Sequence, residues 1–159
     1  MTVELTITDA DAMEALGARL APLLRAGDLV LLDGELGAGK TTLTRGIGSA
    51  LGTREPITSP TFVLAREHPT ASGPPLVHVD AYRLATGAEV EDLDLDWDHA
   101  IVVVEWGAGK LDAVAESFLR VEIERPVGGD PLADDSPRHV RITGVGDRWR
   151  GVESALGSA

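Results

Sequence analysis

The sequence predicts an α/β fold with a mostly parallel central sheet, and three observations carry that prediction. Two runs, Leu29-Val30-Leu31-Leu32 and Ile101-Val102-Val103-Val104, are continuously apolar, as strands buried on both faces are. The stretch between the first run and the next helical segment, Gly34 to Lys40, is rich in glycine. Along the chain, strand-length apolar runs are interleaved with segments of helical period, the pattern of an α/β sheet that is parallel at its centre. With 159 residues, no Pro/Ser linker, no low-complexity tract and no internal repeat, the chain reads as one domain over 1–159.

The elements follow in order. Thr2 to Ile7 alternates and predicts a short strand. Thr8 with Asp11 fits a capping box ahead of Met13, Leu16, Leu20 and Leu23, which share one helix face. That helix is expected to run to about Arg25, with Pro22 able to shorten it. Asp28 to Asp33 is a buried strand, and Thr41 to Leu51 a helix stopped by Gly52. Phe62 to His68 and Leu76 to Asp80 predict two strands around the turn-rich Pro69 to Pro75. Glu89 to Asp98 holds six acids and no base, with Val90, Leu93, Leu95 and Trp97 between them, and reads as a solvated face. Ala100 to Glu105 is the second buried strand, and Phe118 to Glu124 alternates as a half-exposed one. Residues 126–137 are expected to form a loop, His139 to Thr143 a last strand, and 144–159 a weakly ordered tail with a weak helix over Trp149 to Leu156.

Composition narrows the function. No apolar run approaches the roughly 18 residues of a membrane span, and Met1 to Asp11 carries acids without the basic start of a secretory signal. The expectation is a cytoplasmic protein with no membrane partner. The absence of cysteine excludes disulfides, thiol nucleophiles and cysteine-ligated zinc. A net charge of −12 disfavours a free-standing nucleic-acid or membrane-surface binder, and no DNA partner is expected. Any nucleic-acid contact is then expected through a partner protein, or locally through Arg138, Arg141, Arg148 and Arg150.

Gly34-Glu35-Leu36-Gly37-Ala38-Gly39-Lys40-Thr41 matches the phosphate-binding loop pattern without a mismatch. Glycines there let backbone N–H groups approach phosphate oxygens, and the following helix points its positive end at them. Lys40 is expected to reach the β- and γ-phosphates and the Thr41 hydroxyl to ligate magnesium. The predicted architecture is therefore a P-loop NTPase-like three-layer sandwich, mostly parallel with an antiparallel part. Gly107-Ala108-Gly109-Lys110 repeats the tetrad, but Val104 and Leu111 stand where the pattern needs glycine and a hydroxyl, so it reads as an ordinary loop. A nucleotide triphosphatase also needs an acid at the end of a neighbouring strand. Glu105 and Asp80 both qualify, Glu105 closing the more apolar run. His78 and Asp80 share a strand face, but two such residues without a third are a weak metal site. The chain contains no asparagine and no glutamine, which removes both the Asn-Lys-x-Asp guanine motif and a water-orienting glutamine. Adenine nucleotide is favoured.

Beyond the loop, Thr44-Arg45-Gly46, Ser59-Pro60-Thr61-Phe62, His78-Val79-Asp80-Ala81-Tyr82-Arg83-Leu84 and Val104-Glu105-Trp106 follow in an order and spacing that resemble the bacterial TsaE family. The resemblance runs from about Leu5 to Glu124. It implies an ATPase of tRNA threonylcarbamoyladenosine biosynthesis, weak alone, that works with TsaB and TsaD, TsaD carrying out the transfer to adenosine 37. It implies ATP and Mg2+ as ligands. Glu35, Leu36, Gly37, Ala38, Gly39, Lys40, Thr41 and Thr42 would bind the phosphates, and Thr41 with Glu105 would hold magnesium. By the same resemblance Asp80 positions water or magnesium-bound water, Thr61 offers a switch-like hydroxyl, and Thr8 and Arg138 contact adenine. Trp106, Tyr82 and Arg83 are candidates for the nucleotide or partner side. After Arg125 the chain departs from the family in an acidic proline-glycine loop and an arginine-rich tail.

Two other readings use the same loop. A small-molecule kinase would want an arginine-rich lid, but no base stands between Arg83 and Lys110. A nucleotide-gated binding module would switch a partner without needing hydrolysis.

Overall fold

In a computed structural model, residues 2–35, 39–53, 65–71, 73–81, 95–105, 115–124 and 137–156 are described. Their strands are β1 (Thr2–Ile7), β2 (Leu29–Gly34), β3 (Ala65–His68), β4 (Leu76–Asp80), β5 (Ile101–Glu105), β6 (Phe118–Glu124) and β7 (Arg138–Val145). The helices are α1 (Ala10–Leu20), α2 (Lys40–Leu51) and α3 (Val152–Leu156), with single 3-10 turns at Ala21–Leu23 and Asp147–Trp149. All seven strands belong to one sheet in the order β1-β7-β6-β2-β5-β4-β3. The centre, β6-β2-β5-β4, is parallel, while β7 and β1 on one side and β3 on the other are added antiparallel. The fold class read from the sequence is the one observed.

The two continuous apolar runs are the two central strands. β2 lies between β5 and β6, and Leu29 to Leu32 and Ile101 to Val104 are all buried. Even-numbered residues of β2, with Ile101 and Val103 of β5, face the layer of α1, α2 and α3. The opposite face carries Leu29, Leu31, Val102 and Val104, against which Leu95, Trp97 and Ala115 pack. The described end of the acidic segment thus splits by side chain: Leu95 and Trp97 are half-buried, Asp96 and Asp98 exposed. β6 alternates as its sequence predicts from Leu119 onward.

Several boundaries differ from the sequence reading. The N-cap of α1 is Asp9, whose carboxylate accepts from the Ala12 amide at 2.8 Å, so the Thr8–Asp11 box is not formed. An Asp at N-cap reaches the N3 amide directly and outcompetes a hydroxyl one residue earlier. α1 ends at Leu20, because Pro22 has no N–H to donate and turns the chain through a 3-10 segment. β7 is longer than expected, 138–145, since β1 and β6 pair with it on both sides. Where a weakly ordered tail was the expectation, Trp149, Val152 and Leu156 are buried in the main core. Arg148 anchors this tail by a forked pair with the buried Asp28, Nε to Oδ1 at 2.9 Å and Nη2 to Oδ2 at 2.8 Å. It also donates to the Leu23 carbonyl at 2.6 Å, and its guanidinium lies 4.2 Å from the centre of the Trp149 ring. From α1, Arg19 donates to the Leu156 carbonyl at 2.7 Å.

α1 and α2 cross at two glycines. A Cβ on Gly46 would stand 2.0 Å from the Glu14 carbonyl oxygen, and one on Gly17 would stand 2.3 Å from that of Leu43. Backbone meets backbone there, so neither site tolerates a side chain without moving a helix. Gly52 ends α2 at a φ of 78°, its N–H returning to Gly48 and Ser49, the stop that the sequence predicts.

Two predictions follow from this packing. Gly46→Ala overpacks the crossing and should cost about 1–3 kcal/mol of stability in urea unfolding, whereas Gly73→Ala, whose Cβ meets only the Thr70 hydroxyl at 3.7 Å, should not. Arg148→Ala strands the buried Asp28 and should cost about 3 kcal/mol. Arg150→Ala removes only an exposed pair with Asp147 and should cost less than about 1 kcal/mol by the same measurement.

Candidate nucleotide-binding site

The site lies where β2 gives way to α2. Gly34 closes β2, Glu35 is exposed, and Gly39 enters the helix at a φ of 120°, a conformation that side chains other than hydrogen rarely adopt. A Cβ on Gly39 would also come within 3.2 Å of the Met13 side chain, which brings the start of α1 against the loop. Lys40 opens α2 and is buried; its ammonium donates to the Gly34 carbonyl and, at 3.3 Å, to that of Glu35. Burial, the largest influence, pushes the Lys40 pKa below the ordinary lysine value. The charges of Glu105, Asp33 and Asp80 act in the opposite direction.

The parallel ladder brings the acids to this point. Leu32 is in register with Glu105, and Glu105 with Asp80, so the carboxyl ends of β2, β5 and β4 lie side by side. Ligands of open α/β sheets bind at that edge. Glu105 is buried, and its two oxygens have different partners: the Thr41 hydroxyl donates to Oε1 at 3.3 Å, and His78 Nε2 lies 3.0 Å from Oε2. The Ala81 amide donates to the Glu105 carbonyl at 2.9 Å, tying the ends of β4 and β5 together. Asp80 and Asp33 are half-buried beside them.

Thr41 and Thr42 are half-buried in the first turn of α2. Thr8 is exposed, directly after β1, and Arg138 is buried at the start of β7, opposite Ile7. Because β1 runs parallel to β2, Thr8 and Arg138 sit at the same sheet edge as the loop, beyond β6. Leu36, Gly37, Ala38 and Thr61 lie outside the described residues, as do Tyr82, Arg83, Trp106 and the Gly107 to Lys110 tetrad. The arginines considered for local tRNA contact are engaged within the chain: Arg148 with Asp28, Arg141 with Glu4 at 3.1 Å, Arg150 with Asp147, while Arg138 is buried.

Asp33 is a group that sequence reasoning misses; its only signal is a charge closing an apolar run. His78, which shares a strand face with Asp80, is paired instead with Glu105. Among the described residues no three His, Asp or Glu side chains converge on a metal position. Thr41 and Glu105 are hard oxygen donors of the kind magnesium takes, and magnesium needs few protein ligands because phosphate and water supply the rest.

Residues 7–128 match the family model described as threonylcarbamoyl adenosine biosynthesis protein TsaE. The tRNA threonylcarbamoyladenosine biosynthesis protein TsaE of Streptomyces coelicolor is 60% identical over 86% of this chain and 93% of its own length. The protein of the same name from Bacillus subtilis is 34% identical over 86% of this chain and 82% of its own. The crystal structure of Bacillus subtilis YdiB superposes with a TM-score of 0.74 at 28% identity, covering 99% of this chain and 95% of that one.

Lys40 generates a pH prediction. Its folded pKa lies below its unfolded one, so between the two the unfolded chain binds more protons and stability rises with pH. Wild type should therefore gain stability relative to Lys40→Met as the pH climbs through that window toward 10.5, measured by urea unfolding of both proteins. A difference that is flat or falls with pH would show that burial does not penalise this cation.

Proposed function

The chain belongs to the TsaE family and so to tRNA threonylcarbamoyladenosine biosynthesis, and from that premise we propose that it binds ATP with magnesium and hydrolyses it. The observation that carries this reading is the contact between the Thr41 hydroxyl and the Glu105 carboxylate beside the buried Lys40. In a phosphate-binding loop these are the groups that face the terminal phosphates and the metal. Lys40 would move its hydrogen bonds from the Gly34 and Glu35 carbonyls to phosphate oxygens, its charge favoured by Glu105, Asp33 and Asp80. Glu35, Leu36, Gly37, Ala38, Gly39, Thr41 and Thr42 would supply the remaining phosphate contacts, largely through backbone N–H groups at the start of α2.

Thr41 and Glu105 would hold magnesium, which when bound neutralises charge developing on the phosphates. Asp80, in register with Glu105, would position the attacking water, and Thr61 would add a hydroxyl near the terminal phosphate. Thr8 and Arg138 would flank adenine; they lie at the same edge, and an arginine plane can stack on a purine. A chain without asparagine or glutamine has no guanine motif and no glutamine to orient water. Hydrolysis would accordingly be slow until TsaB and TsaD complete the site, with tRNA bound by the complex rather than by this acidic chain. On this reading the protein would act in the cytoplasm. Among the described residues no helix is long and apolar enough to cross a membrane.

Phosphate release from ATP and GTP, with magnesium, measured for the chain alone and with TsaB, TsaD and tRNA, tests the reading. Turnover should select ATP and rise with the partners. Lys40→Ala and Glu105→Ala should each lower it by about 100-fold, the scale of losing one charge-stabilising group at a phosphoryl-transfer site. A Glu105→Ala protein that binds ATP and supports full tRNA modification without hydrolysis would leave a nucleotide switch in place of an ATPase.

A further inference from the structure

We propose that His78 is a positioning residue: it holds the Glu105 carboxylate in the orientation that faces Thr41 and thereby sets the site's affinity for magnesium. The inference rests on the reading of Thr41 and Glu105 as the metal side of the site. It starts from a residue that packing alone does not account for. β4 reads Leu76-Val77-His78-Val79-Asp80, and His78 is fully buried on the same face as Leu76. Across the ladder it pairs with Val103, whose side chain belongs to the core beneath α1 and α2. An aliphatic side chain would suit that position better, because a buried imidazole must be desolvated and both its nitrogens then want partners. Only one has a partner among the described residues: Nε2 meets Glu105 Oε2, and Nδ1 meets none.

The geometry of that one bond says what the imidazole does. A glutamate carboxylate ends a flexible chain, and a buried one can turn its oxygens to several donors. Here the two oxygens are divided. Nε2 engages Oε2 at 3.0 Å from β4, leaving Oε1 toward the Thr41 hydroxyl at 3.3 Å on α2. Since the carboxylate accepts, the bond needs a proton on Nε2. A fully buried ring two residues before Asp80 has no route to solvent-borne substrate, so it acts through Glu105 and not on the reacting atoms. Its position on β4 also ties the carboxylate of one strand to the neighbouring strand. Outer partners of this kind orient metal-side carboxylates, and their loss typically costs 10- to 100-fold in metal affinity.

The test is ATP binding by isothermal titration calorimetry, in EDTA and across a magnesium series, on the full chain. His78→Leu should raise the magnesium concentration for half-maximal enhancement of ATP binding by about 10-fold or more, with ATP affinity in EDTA unchanged. His78→Gln, whose amide nitrogen can reach the place of Nε2, should recover most of the loss, whereas His78→Asn, one carbon shorter, should not. If His78→Leu does not fold, the contrast between the Gln and Asn variants decides the matter. In a Glu105→Gln background, His78→Leu should add nothing to the magnesium requirement. In the metal-free protein, nitrogen NMR should find His78 as the Nε2–H tautomer. A His78→Leu protein with wild-type magnesium dependence, or Gln no better than Asn, overturns the role of His78 while leaving the site reading intact. Wild type that binds no ATP, or Glu105→Gln with an unchanged magnesium requirement, overturns the site reading and this inference with it.

Discussion

The parallel ladder that joins β4, β5 and β2 is the constraint on which the site depends. Parallel pairing aligns strand ends, so three chain segments far apart in sequence all finish at one edge, with Leu32, Glu105 and Asp80 in register. Such pairing is stable only when both faces are buried, and Leu29 to Leu32 and Ile101 to Val104 meet that condition at every position. A one-residue slip of β5 would turn Glu105 to the opposite face of the sheet. Register, fixed by the apolar core, therefore also fixes where the carboxylate points.

The helix layer transmits this order to the loop. Gly17 and Gly46 allow α1 and α2 to touch along their backbones, and Met13 of α1 comes up against Gly39 at the entry to α2. α1 begins directly after β1, so the same contact relates the phosphate loop to the sheet edge where Thr8 and Arg138 sit. The tail closes the layer from outside: Trp149, Val152 and Leu156 add to the core, and Arg148 binds Asp28 just before β2. A segment beyond the family match, which ends at residue 128, is thus built into the support of the strand that leads to the loop.

Charge is distributed with a similar economy. The chain carries a formal net charge of −12, yet acids gather at the site around a single buried lysine. These acidic neighbours oppose the effect of burial on the Lys40 cation, and in the proposed function their oxygens would also face a divalent metal. Arg141, Arg148 and Arg150, in contrast, are committed to Glu4, Asp28 and Asp147.

The sequence by itself determined the fold class, the glycine-rich loop pattern and the family, because these depend on local signals: unbroken apolar runs, glycines at fixed spacing and short motifs in a set order. It also supplied both candidate strand-end acids, since each closes a run of apolar residues. Only the tertiary structure decided which groups meet. Thr41, His78 and Glu105 are separated by 27 residues or more, and their convergence on one carboxylate depends on strand order and register. His78 could not be assigned from spacing, because a buried histidine on a strand has the same local pattern whether it faces a carboxylate or not. The burial of the tail was equally hidden: Trp149, Val152 and Leu156 carry too weak a local helix signal, and what holds them is a core assembled from segments as distant as Val3 and as near as Ile142. Local pattern fixes which element a segment becomes; long-range pairing fixes what that element stands beside.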